Sequence, residues 1–92
     1  MKRRLICLIQ NRLGALDRVM GTLSHQGYVP DYFESRAAAR SGDMKPCLRV
    51  SIQVHCPDEK RLVKLLKAIE RQVTTLEVTV EAVDDAPFAA AG

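Results

Sequence analysis

Tryptophan is absent from this chain of 92 residues, and two tyrosines and two phenylalanines are its only aromatic residues. Proteins that hold single-stranded nucleic acid stack bases on aromatic side chains carried by a sheet or groove. The most strand-like stretch here, CLRVSIQVH from Cys47 to His55, has none, which argues against that function. Cysteine is scarce and odd in number, with Cys7, Cys47 and Cys56 forming no C-x-x-C pair. This pattern fits reduced thiols better than a disulfide framework or a zinc site. Long apolar runs are also missing. The longest, Leu5 to Ile9, is far short of the about 20 residues that a membrane-spanning helix needs. Met1-Lys2-Arg3-Arg4 leads straight into that run and Gln10-Asn11-Arg12 ends it, unlike a secretory signal. A cytoplasmic protein with no membrane partner is expected.

What remains is the composition of an ordinary globular domain: 47% hydrophobic and 27% charged residues, five glycines and four prolines. A chain of this size buries roughly two-thirds of its unfolded surface, enough for one domain without staples. The net charge is +3 and the pI near 9.0. Much of this basicity sits in Lys2, Arg3 and Arg4 and on one predicted helix face, Lys60, Arg61, Lys64, Lys67 and Arg71. Such a face reads as solvated surface before it reads as a nucleic-acid footprint.

Periodicity gives the element order. Leu5 to Ile9 is an unbroken apolar run with polar ends, as burial of a central strand on both faces demands. Ala15 to Gln26 reads as a helix with Leu16, Val19, Met20 and Leu23 on one stripe, and Gly27 stands where a left-handed cap would end it. Gly21 inside this helix costs about 1 kcal/mol relative to alanine unless the helix packs closely there. Tyr28 to Ala39 favours a strand, and Pro30 makes it an edge or a bulge. Arg40-Ser41-Gly42-Asp43 signals a turn. Cys47 to His55 alternates, with Leu48, Val50, Ile52 and Val54 sharing a face. Pro57-Asp58-Glu59 starts a second helix, whose stripe is Leu62, Leu65, Leu66 and Ile69, extended by Val73. Thr75 to Val83 alternates again, with Leu76, Val78, Val80 and Ala82 inward.

The order β-α-β-β-α-β predicts an α+β, ferredoxin-like sandwich: an antiparallel sheet with both helices on one face. A single domain over 1–84 and a disordered tail over 85–92 are expected. Function has to come from a site, because this fold hosts many activities. No G-x-S-x-G, H-E-x-x-H, P-loop or G-x-G-x-x-G is present. His25 and His55 have no sequence-local carboxylate to orient them as bases, and His55 and Cys56, adjacent on a strand, point to opposite faces. The sequence therefore predicts no catalytic residues and no metal site.

The stretch QNRLGALDRVM, Gln10 to Met20, carries the most information. The first N–H groups of the helix are unpaired within it and point toward the loop of Asn11, Arg12, Leu13 and Gly14. Asn11 offers a donor and an acceptor, Gly14 lets a ligand approach the backbone, and the helix dipole favours a carboxylate. A small amino acid would suit such a pocket. The dipole supplies at most about 2 kcal/mol, whereas millimolar binding needs about 4 kcal/mol. A second copy of the domain is the economical cover, so a homodimer with the ligand at its interface is expected.

The run NRLGALDRVMGTLSHQGY, with its polar-x-x-Gly-x-Leu-x-Arg-Val start and Gly-aromatic end, resembles the ACT domain, and most of all the regulatory (small) subunits of acetolactate synthase, also called acetohydroxyacid synthase. The resemblance extends from Leu5 to Val83. It implies a non-catalytic subunit of branched-chain amino acid biosynthesis that binds and activates a catalytic subunit. It also implies that thiamine diphosphate, magnesium and FAD belong to that partner and no cofactor to this chain. Asn11 and Gly14 match the effector-loop positions, with Arg12 between them and Leu13 and Ala15 as backbone donors. Valine-sensitive members carry Asn-Ile after the Gly-aromatic pair; here Val29-Pro30 stand at those effector-site positions, which implies weakened or lost valine feedback. Longer regulatory subunits continue into a further domain, and the resemblance is to the short type. A free-standing amino-acid-binding ACT module that regulates a different enzyme or circuit is the alternative.

Overall fold

A computed structural model describes residues 1–39 and 46–83 of the chain. Strand β1 (Lys2–Gln10) is followed by helix α1 (Ala15–His25), β2 (Tyr32–Ala39), β3 (Pro46–His55), α2 (Glu59–Glu70) and β4 (Thr75–Ala82). The predicted turn at Arg40 to Asp43 and the predicted tail over 85–92 lie outside the described residues. The four strands form one antiparallel sheet in the order β2-β3-β1-β4, the ferredoxin-like topology expected from the sequence.

β1 is central and pairs with β3 along its whole length, from Lys2 opposite His55 to Gln10 opposite Cys47. The basic triplet Lys2-Arg3-Arg4 is part of this strand. Lys2 is 3.6 Å from Asp31, Arg3 3.6 Å from Glu59 and Arg4 3.9 Å from Glu81. Solvent-facing pairs of this kind contribute up to about 1 kcal/mol each.

Leu5, Cys7 and Ile9 share one side of the sheet with Val50, Ile52 and Val54, all fully buried. Ala15, Val19 and Leu23 from α1 and Leu62, Leu65 and Ile69 from α2 complete a single core with them, so both helices cover the same face. The buried row of α1 is spaced by four residues. Met20, predicted to lie inward, is 37% exposed because no described element covers that flank.

Helix ends follow local chemistry closely. The Asp58 carboxylate accepts the Arg61 N–H at 2.8 Å and caps α2. Val73, predicted to extend the stripe, lies beyond the end of α2 and is mostly exposed. At the end of α1, the Gly27 N–H donates to the Ser24 carbonyl at 3.0 Å and the Tyr28 N–H to the Leu23 carbonyl at 2.9 Å. Gly27 has φ +83, and Tyr28 joins Leu23 in the core: the paired bonds and apolar contact of a Schellman cap. Pro30 therefore precedes β2 rather than interrupting it, and β2 is an edge strand, as the proline suggested.

β4, the opposite edge, departs most from its predicted pattern. Its register slips between Leu8 and Ile9, so that Glu77 lies opposite Leu8 and Thr75 opposite Ile9, leaving Leu76 as the extra residue of a bulge. Val78 packs against the core, whereas Val80 and Ala82 share its face but are exposed.

Gly21 has no packing reason to be glycine. It is exposed, its φ is not positive, and a Cβ built on it meets nothing within 4 Å. Gly21→Ala is expected to stabilise the domain by about 0.5–1 kcal/mol. Thermal unfolding of both proteins checks this, with a rise of about 4–8 °C expected per kcal/mol.

Candidate functional site

The loop between β1 and α1 is held at both ends. The Asn11 N–H donates to the Pro46 carbonyl at 3.4 Å, and the Arg12 N–H turns back to the Gln10 carbonyl at 2.9 Å. Arg12 Nη1 also donates to Gln10 Oε1 at 3.3 Å. Gly14 caps α1 from the left-handed region, φ +84, where a side chain is strained even though space for one exists. Its carbonyl accepts the Arg18 N–H at 3.1 Å, so the helix begins with no side-chain cap.

The sequence expectation assigned Leu13 and Ala15 as backbone donors. The Ala15 N–H is already committed to the Arg12 carbonyl at 3.1 Å. The N–H groups of Leu13 and Gly14 make no hydrogen bond among the described residues, so these two are the donors the loop offers. The Leu13 side chain stands wholly in solvent. A hollow of about 350 Å³ lies beside the loop, lined by Gln10, Asn11, Arg12 and Pro46. Pro46 was not legible as a lining residue, because its place follows from the β1–β3 register and not from local sequence.

Val29 and Pro30 are not brought to this loop within one chain. The loop is tied to Pro46 at one end of β3, while Asp31, next to Pro30, donates to the Gln53 carbonyl near the other end. That stretch of strand spans about 23 Å at 3.3 Å per residue. The predicted effector residues thus form two groups at opposite ends of the molecule.

Among the described residues, neither histidine nor Cys56 is arranged for catalysis. His25 and His55 are exposed, whereas Cys56, just beyond the end of β3, is buried. Burial pushes the Cys56 thiol up from its usual range, the reverse of what a nucleophile needs. Among the described residues no group of three or more His, Cys, Asp or Glu side chains could hold a metal ion, and no helix is long and apolar enough to cross a membrane.

No family model matches the chain, and no curated protein matches it. Solved structures do. The ACT domain of GTP pyrophosphokinase from Chlorobium tepidum superposes with a TM-score of 0.70 at 10% identity, covering 88% of this chain and 97% of that one. The fold is that of an ACT domain. The acetolactate synthase small subunit from Thermotoga maritima gives a TM-score of 0.69 at 18% identity; 95% of this chain is covered, but only 50% of that one. A formyltetrahydrofolate deformylase from Pseudomonas putida KT2440 gives 0.62 at 17% identity, over 90% of this chain and 29% of that one. In the ACT frame, the Asn11–Gly14 loop is the strand-to-helix connection after β1, and β2 is a free edge.

Proposed function

We propose that this chain is a non-catalytic ACT-type regulatory subunit that dimerises, and that it binds and activates the catalytic subunit of acetolactate synthase. One observation carries the binding half of this reading: unengaged N–H groups on Leu13 and Gly14, beside the Asn11 amide at the start of α1. These groups suit the carboxylate of a small amino acid. The separation of Asn11–Gly14 from Val29–Pro30 supports the dimer. If two copies pair antiparallel through their free β2 edges, the Tyr32 end of one meets the Ala39 end of the other. Val29–Pro30 of one copy then approaches the Asn11 loop of its partner, covering a ligand that the helix dipole alone could not hold.

The choice of acetolactate synthase rests on the NRLGALDRV resemblance and on the likeness to the Thermotoga maritima small subunit. The whole-domain likeness to the ACT domain of a GTP pyrophosphokinase favours a second reading, an amino-acid-binding module serving another enzyme.

Acetolactate formation by the catalytic subunit of the same genome, with and without this protein and with and without valine, tests the proposal. Stimulation is expected, with little inhibition by valine. Replacing Val29→Asn together with Pro30→Ile restores an amide to the ligand's polar head. An unpaired polar group costs about 1–3 kcal/mol, so the double variant should bind valine about tenfold or more tightly. Gly14→Asp in the same background should abolish that gain. Absence of stimulation with a competent catalytic subunit would turn the assignment to the second reading.

A further inference from the structure

The face of the sheet turned away from both helices has a hollow of about 450 Å³, floored by Ile6. It shares no lining residue with the hollow at the effector loop. Three guanidinium groups, on Arg4, Arg36 and Arg49, line it together with only two carboxylates, Glu34 and Glu81. Both carboxylates are engaged. Glu81 lies 3.9 Å from Arg4; Glu34 lies 2.8 Å from Arg36 and accepts the Tyr32 hydroxyl. Gln53, 8% exposed, turns its amide oxygen to Arg4, accepting from Nε at 3.3 Å and Nη2 at 2.6 Å.

Arg49 has no ion pair among the described residues, and it stands directly opposite Arg36 in the β2–β3 ladder. Like charges directly opposite one another weaken a sheet. Two adjacent guanidinium forks, of which only that of Arg36 is paired with a carboxylate among the described residues, make a cleft that an oxyanion would neutralise, and planar forks match carboxylate and phosphate oxygens in pairs. The size of the hollow falls within the roughly 300–1,000 Å³ of small-molecule sites. A second copy fits poorly, because two such hollows face to face would enclose a void and oppose like guanidinium groups.

We propose that this hollow is a binding site for a small molecule bearing an oxyanion group, carboxylate or phosphate. Arg36 and Arg49 hold that group, and Glu34 and Glu81 accept from the ligand's hydroxyl or ammonium donors. The test is titration with inorganic phosphate, glycerol phosphate and acetate at constant ionic strength, followed by nitrogen-15 NMR of the backbone and the arginine Nε–H groups. Saturable shifts are expected at Ser51, Arg36 and Arg49, with dissociation constants in the millimolar range or below. Stronger shifts with the phosphates, or with acetate, identify the preferred oxyanion. Arg49→Gln should weaken binding tenfold or more, whereas Lys64→Gln on the exposed face of α2 should leave it unchanged. Shifts that do not saturate, or that persist undiminished in Arg49→Gln, would reduce the effect to charge screening and overturn the proposal. So would self-association on concentration that Arg49→Gln abolishes, which would give the face to a second copy.

Discussion

Replacing Ile52 with alanine will destabilise the domain by about 2–5 kcal/mol, a large share of the roughly 5–15 kcal/mol that holds a domain of this size together. Ile52 is fully buried at the middle of β3, with Leu5 opposite it on β1 and Phe33 opposite it on β2. Its side chain fills the layer between the sheet and the helices, where Val19, Leu23, Leu62 and Leu65 belong to the same core. No polar contact compensates for the lost methyl groups, and the residual cavity adds to the transfer cost. Urea unfolding at neutral pH measures the loss, and the melting temperature should fall by about 4–8 °C per kcal/mol. β3 also carries Pro46, whose carbonyl anchors Asn11, so the variant should loosen the Asn11–Gly14 loop as well as the core. A loss below about 1 kcal/mol would mean that the helices do not seal this part of the sheet.

The parts of this molecule that could be read from the sequence are those fixed by local chemistry. Leu5 to Ile9 announced a central strand because no polar side chain interrupts it, and Gly27-Tyr28 announced a cap because only glycine takes the left-handed turn there without strain. Asn11 and Gly14 fell on the strand-to-helix connection for the same reason. What stayed hidden depends on partners distant in sequence. The bulge at Leu76 arises from pairing with β1, and the exposure of Met20 from the lack of any described element over that flank. The engagement of the Ala15 N–H by Arg12 is a detail of how tightly the loop turns. Arg36 and Arg49 lie on opposite sides of the β2–β3 turn signal, and only the register shows them side by side. Periodicity assigned Arg49 and Gln53 to the outward face of β3, but it could not say that Gln53 is buried there beneath Arg4.

Alkaline pH will destabilise this protein through a buried thiol that lies outside the Asn11–Gly14 loop. Cys7 is fully buried on β1, and burial pushes its thiol from 9.0 up to about 12. The neutral thiol costs the folded state nothing, so Cys7 adds no pH dependence below about pH 9. Between about pH 9 and pH 12 the unfolded chain loses the thiol proton while the folded chain keeps it. The unfolded state then binds fewer protons, and stability falls with rising pH by up to about 1.4 kcal/mol per unit from this one group. Burial acts in the same direction on Tyr28 and Cys56. Every other side chain is common to the two proteins compared, so the difference between wild type and Cys7→Val isolates the thiol. Urea midpoints at about pH 7, 9, 10 and 11 should show wild-type stability dropping more steeply than that of the variant above pH 9, and in parallel with it below. Parallel curves throughout would mean that water reaches Cys7 and that the β1 core opens far more readily than its packing implies. The same burial keeps the thiol protonated and out of reach of oxidants at neutral pH, so Cys7 should resist thiol reagents until the domain unfolds. Reaction of Cys7 in the native protein would contradict the packing directly, whatever the alkaline unfolding curve showed.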